Sequence, residues 1–147
     1  MFVNIQVRLV REGAEAPRMT TDGAAGCDIH ACLDRDIEIA PGETVLIPTG
    51  IATAFDPGIA ALVYARSGLA VKEGLAPANK VAVIDSDYRG EWMVPIHNHS
   101  GTTRTIKHGE RIAQVIFTPY YVPVYSVQND LPASGRGSGG FGSTGKN

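Results

Sequence analysis

The sequence predicts an all-β domain with at most one short helix, of the sandwich, jelly-roll or closed-barrel kind. Three observations carry this. Short β-branched runs recur along the chain. Its 17 glycines and 9 prolines are spread between those runs rather than gathered into one linker. Only residues 68–73 leave room for a helix, and then for a turn or two. A length of 147 residues suits a single hydrophobic core.

The elements follow in chain order. Val3, Ile5, Val7 and Leu9 alternate with Asn4, Gln6 and Arg8, which predicts a half-buried strand. Residues 36–39 alternate before the Pro41-Gly42 turn. Strands are then expected at 44–47, 59–65, 81–84, 92–96, 104–106, 112–117 and 121–127, with turn residues between them. From about residue 133 the strand pattern stops. The chain therefore divides into a β domain, residues 1–132, and a flexible Gly-rich C-terminal arm, residues 133–147.

Composition excludes several classes. Lys and Arg number 13 against 15 Asp and Glu, a net charge of −2, so no basic face is available for a nucleic-acid polymer. No stretch approaches the ~20 apolar residues of a membrane span. The N-terminus lacks a signal-peptide core. Cys27 and Cys32 are too few for a disulfide framework and read as reduced thiols of a cytoplasmic protein. His97 and His99 share a strand face, but no third ligand or cysteine motif supports zinc.

Four segments hold residues suited to chemistry. Asp85 follows the apolar run 81–84, so its carboxylate stands at a strand end, partly desolvated and able to take a proton from water. Tyr88 offers a flat face to a sugar or base. Arg66, Ser67 and Gly68 combine a guanidinium, a hydroxyl and a close-approach glycine at a helix start, a set suited to phosphate oxygens. The Walker spacing and its lysine are missing. Gln114 is an amide within an apolar run, and Asp28 follows a glycine. In the arm, Arg136 and Phe141 supply a phosphate fork and an aromatic plate among glycines whose amides can wrap a polyphosphate.

Five segments together resemble the ordered motifs of the homotrimeric deoxyuridine triphosphate nucleotidohydrolases, the dUTPases. They are residues 25–31 (AGCDIHA), 65–70 (ARSGLA), 84–91 (IDSDYRGE), 109–114 (GERIAQ) and 136–145 (RGSGGFGSTG). The resemblance implies a β-clip or jelly-roll-like distorted barrel, three subunits sharing three active sites, and magnesium-assisted hydrolysis of dUTP to dUMP and pyrophosphate. That reaction keeps uracil out of DNA and supplies dUMP for thymidylate synthesis. Matched residue by residue, Asp85 resembles the carboxylate that activates the attacking water. Tyr88 resembles the ring under the deoxyribose. Asn79 looks like the base-reading asparagine, with main chain of Val83, Ile84 and Asp85, and Met93 falls near that pocket. Arg66, Ser67, Gly68 and Gln114 match the phosphate set. Asp28 resembles the aspartate that holds Mg2+ through water. Arg136, Phe141, Gly142, Ser143 and Thr144 match the arm that covers base and γ-phosphate. Cys27, His30, Ala82 and Glu110 depart from the family's common residues.

Two other functions fit part of the pattern. A dCTP deaminase shares the fold, but it needs a glutamate on the strand after Ile84-Asp85, where this chain offers Pro95. A non-catalytic nucleotide-binding relative would have lost a catalytic residue, and none of the motif residues is missing.

Overall fold

The computed structural model describes residues 2–140. Twelve strands and one helix run in the order β1 (Gln6–Leu9), β2 (Arg18–Met19), β3 (Cys27–His30), β4 (Ile37–Ile39), β5 (Thr44–Pro48), β6 (Ile51–Ala54), β7 (Ile59–Tyr64), α1 (Ser67–Glu73), β8 (Leu75–Pro77), β9 (Val81–Ile84), β10 (Met93–Asn98), β11 (Arg104–Ile106) and β12 (Arg111–Pro119). They form a five-stranded sheet in the order β2-β3-β12-β7-β9, a three-stranded sheet β5-β10-β8, and two pairs, β1-β6 and β11-β4. Every pairing is antiparallel. The sheets close on one core in a jelly-roll-like arrangement.

The core follows from strand periodicity. Val94, Ile96 and Asn98 of β10 point inward while Met93, Pro95 and His97 alternate with them. They meet Ile29, Ile47, Ile51, Val63, Ile106, Ile112 and Val115. Phe55 meets Phe117 edge to face, ring centroids 5.4 Å apart. Asn98 is fully buried, and its amide is saturated: it donates to Ile39 O and Thr102 O at 2.8 Å each and accepts from the Ser100 N–H and hydroxyl at 2.9 and 2.7 Å. α1 ends at Gly74, whose φ of +67° is the left-handed cap that glycine takes without strain.

Two expected strands come out differently. The N-terminal strand is confined to β1, all four of whose residues are exposed, with Leu9 at 52%. Its alternation signals one covered face, but β1 pairs only with β6 at the margin of the fold. Residues 121–127 form no strand. Pro119 ends β12, Pro123 removes a donor, and no ladder partner is at hand among the described residues. Tyr121, Val122, Val124, Tyr125 and Val127 are left almost wholly exposed. β2, β3, β6 and β8 were not expected from the pattern: β3, β6 and β8 are largely covered on both faces and so lack alternation, and the exposed β2 is only two residues long.

Candidate active site

The phosphate-type residues converge at one end of the five-stranded sheet. Register sets Asp28 beside Gln114 and Gln114 beside Tyr64, two residues before Arg66. The Asp28 carboxylate is nearly buried. It accepts from Arg66 Nε at 2.8 Å, from Arg111 at 3.2 Å and from the Thr20 hydroxyl at 3.4 Å. Gln114 Nε2 donates to Ala65 O at 2.9 Å, fastening the turn that carries Arg66. A Cβ on Gly26 would press on the Gln114 amide, so glycine there gives that side chain its seat. Ser67 and Gly68 open α1 and are exposed. A Cβ at Gly68 would meet nothing within 4 Å, so nothing in the chain itself requires a glycine there.

A second group gathers on residues 79–93. Asn79 is presented by a tight turn in which Val81 N–H donates to Asn79 O at 2.7 Å and Lys80 takes a left-handed φ of +61°. Ala78 N–H donates to Pro95 O at 2.7 Å and ties this turn to β10. Asn79, Ile84 and Met93 line one recess together with Ala82 and Trp92. The Trp92 indole N–H is buried there without a partner. The methyl of Ala82, one of the departures from the common family residue, therefore faces the recess that Asn79 and Met93 were expected to form. Val83 alternates outward. Asp85 stands at the end of β9 as expected, but exposed rather than partly desolvated. Tyr88 N–H donates to Asp85 O at 3.2 Å, and the Arg89 guanidinium donates to Ser86 O at 2.7 Å.

Asp85 and Arg66 lie apart in one chain. β7 and β9 are antiparallel with Ala61 opposite Ile84 and Tyr64 opposite Val81. Asp85 thus continues past Ala60, while Arg66 lies beyond the other end of the ladder. At about 3.3 Å per residue the separation along the strand is roughly 20 Å. A triphosphate is shorter than that.

Arg136 is exposed, its Nε donating to Gly139 O at 2.8 Å. Phe141, Gly142, Ser143 and Thr144 lie outside the described residues. Among the described residues no three His, Cys, Asp or Glu side chains form a metal cage. His97 and His99 stack edge to face, and His97 Nδ1 bonds the Thr44 hydroxyl at 2.8 Å. Cys27 and Cys32 are free, and burial pushes both thiols up. Arg111 and Thr20 went unnoticed in the sequence as partners of Asp28. The segment 109–114 was the available signal for Arg111, since it also contains Gln114.

A jelly-roll-like β fold that gathers Arg66, Arg111, Asp28 and Gln114 at one sheet end, with Asn79 lining a recess, suits a nucleotide-handling class of protein. The dUTPase family model matches residues 12–145. A deoxyuridine 5'-triphosphate nucleotidohydrolase of Tolumonas auensis is 49% identical over 88% of this chain and 87% of its own length. That of Desulfitobacterium hafniense is 46% identical over 97% of both. The dUTPase of Staphylococcus bacteriophage 80alpha, solved with dUpNHpp, superposes with a TM-score of 0.87 at 26% identity, covering 97% of this chain and 99% of that one. The chain belongs to the dUTPase family.

Proposed function

We propose that this chain is a dUTP diphosphatase whose active site is completed between the subunits of a homotrimer. It hydrolyses dUTP to dUMP and pyrophosphate. The observation that carries the shared site is the roughly 20 Å between Asp85 and Arg66 along the β7–β9 ladder. A carboxylate that poises water at the α-phosphorus and an arginine that holds the same triphosphate must come from different copies of the chain. The exposed apolar residues between Tyr120 and Leu131 supply surface that such an assembly would cover.

In this reading one subunit contributes residues 79–93. Asn79 and the main chain of Val83, Ile84 and Asp85 read the uracil edge, with Met93 and Ala82 limiting the recess. Tyr88 lies against the deoxyribose and crowds C2′. Asp85 takes the proton of the attacking water. A neighbour contributes Arg66, Ser67, Gly68 and Gln114, which neutralise and orient the phosphates. Residues 133–147, with Arg136, Phe141, Gly142, Ser143 and Thr144, form an arm that closes over base and γ-phosphate and excludes bulk water.

The donor set fits a Mg2+ ion carried by the substrate. Asp28 spends three acceptor positions on protein donors, and a carboxylate has about four, so it has room to bond a water of the ion but not to cage it. Bound with the triphosphate, Mg2+ would supply charge neutralisation. The dUTPase of phage phi11, 23% identical with a TM-score of 0.80, is described with a structural Mg(II) ion. A cytoplasmic location completes the reading, in keeping with the reduced thiols expected from the sequence.

Mixing two inactive variants tests the assembly. Asp85→Asn and Arg66→Ala chains, unfolded together and refolded at equal ratio, should regain about a quarter of wild-type turnover, because a site then draws each intact residue from a different chain. A site built within one chain would regain nothing. Pyrophosphate release from dUTP is the readout, with dCTP and ammonia as the control for deamination.

A further inference from the structure

Tyr88 is held by groups to which the chemistry above gives no part. Its hydroxyl donates to Glu91 O at 3.1 Å. A Cβ on Gly90 would overlap that hydroxyl and the ring, so glycine at 90 leaves the ring its seat. Glu91 is itself clamped. Its Oε1 accepts from Arg11 Nε at 2.6 Å and from the Gly50 N–H at 2.8 Å, and its Oε2 accepts from the second Arg11 nitrogen at 2.9 Å. Immediately beyond, Trp92 N–H donates to Ile51 O at 2.8 Å. Arg11 comes from the segment after β1, 80 residues earlier, and a bidentate guanidinium–carboxylate pair has little angular freedom.

We infer that Arg11 and Glu91 are positioning residues that fix the Tyr88 ring and thereby set the preference for deoxyribose over ribose. This rests on the reading of Tyr88 as the face beneath C2′. Selection by crowding works only while the crowding group cannot yield. A ring free to slide by the width of an oxygen admits the 2′-hydroxyl, whereas a ring tethered through its own hydroxyl to a clamped backbone does not. A salt bridge of purely structural value would alter dUTP and UTP turnover alike. A bridge that aims the ring alters their ratio.

The experiment compares kcat/KM for dUTP and for UTP in wild type, Arg11→Ala, Arg11→Lys, Glu91→Gln, Gly90→Ala and Tyr88→Ala, with thermal unfolding of each. The dUTP-to-UTP ratio should fall about tenfold in Arg11→Ala and Glu91→Gln, inside the roughly 10²-fold that shape alone gives against an added hydroxyl. Gly90→Ala should lower it too, and Arg11→Lys should recover part of it. If Tyr88→Ala collapses the ratio while Arg11→Ala and Glu91→Gln leave it at the wild-type value, the clamp is structural only, the inference is overturned, and the sugar reading survives. If Tyr88→Ala leaves the ratio unchanged, both fall together. Should Glu91→Gln fail to fold, Arg11→Ala and Gly90→Ala carry the comparison.

Discussion

Arg66, Asp28 and Arg111 hold one another through ion pairs of 2.8 and 3.2 Å on a half-buried sheet end, whereas Asp85 and Tyr88 stand exposed on a turn that bonds mainly to itself. The Arg66–Asp28–Arg111 cluster is woven into the fold. The turn carrying Asp85 and Tyr88 is hung from the fold at Glu91 and at Arg89, which reaches Thr53 O at 3.4 Å. Damage to the first should therefore reach stability and function together, while damage to the second should reach function alone.

The sharpest break of that contrast is at Asp85. Asp85→Asn should lower kcat by about 10²-fold or more, the scale of a lost general base. Binding of dUpNHpp and the melting temperature should stay near wild type. A turnover close to wild type would remove Asp85 from the mechanism. Deleting residues 134–147 should also cost most of the turnover and leave the melting temperature in place, since 134–138 are exposed and 139–140 only half-buried glycines. A collapsed melting temperature would make the arm part of the core.

Asp28→Asn is the opposite case. It leaves two guanidinium groups facing each other with their shared anion gone. The cost should be about 2 kcal/mol, below the roughly 3–5 of fully buried pairs because Arg111 is half exposed. Denaturant unfolding measures it, and kcat should fall in parallel. A loss of turnover with unchanged stability would mean that the cluster is as loosely attached as the turn.

Gly68→Ala sharpens the contrast from within the phosphate end. With open space around it and a helical position, alanine should raise stability by about 0.5–1 kcal/mol. With Gly68 proposed as a phosphate contact, the same methyl should raise KM for dUTP. A variant with unchanged KM would show that the substrate does not pass there.

The smallest effect concerns pH. The Arg11 hydrogen bonds, helped by the Gly50 amide and opposed by burial, hold the Glu91 carboxyl below the usual glutamate range. A folded value below the unfolded one contributes stability that is fully present above the unfolded value. That stability is lost as pH falls through the folded value. With Arg11 40% exposed the contribution should stay under about 1 kcal/mol. Glu91→Gln should flatten stability against pH over that acid window and nowhere else.

Much of this was legible in the sequence, for reasons that can be named. The strands at 44–47, 59–65, 81–84, 104–106 and 112–117 and the short helix were all foreseen, because turn residues bracket β-branched runs there. The resemblance singled out Asp28 for the ion and Arg66 with Gln114 for the phosphates, and the structure places the three side by side at one sheet end. Alternation misled at both ends of the chain. It registers that one face of a strand wants cover but not whether the same chain supplies it, so the N-terminal segment and residues 121–127 looked alike to strands with a home. The ion pairs of Arg11 with Glu91 and of Arg111 with Asp28 span 80 and 83 residues, and no local pattern announces them. Lys80 in a left-handed conformation was equally silent, because lysine carries no turn signature.

The bare stretch from Tyr120 to Leu131 also has a kinetic side. Tyr120, Tyr121, Tyr125 and Leu131 are sites that an aromatic- and leucine-directed protease can reach without any unfolding of the β domain. If subunit contact covers them, survival of the chain under such a protease depends on how much of it is present. Digestion should be rapid in dilute solution and slow in concentrated solution, with the first cut in this stretch and the barrel left whole. A newly made chain would then be most vulnerable between finishing its own fold and finding its partners.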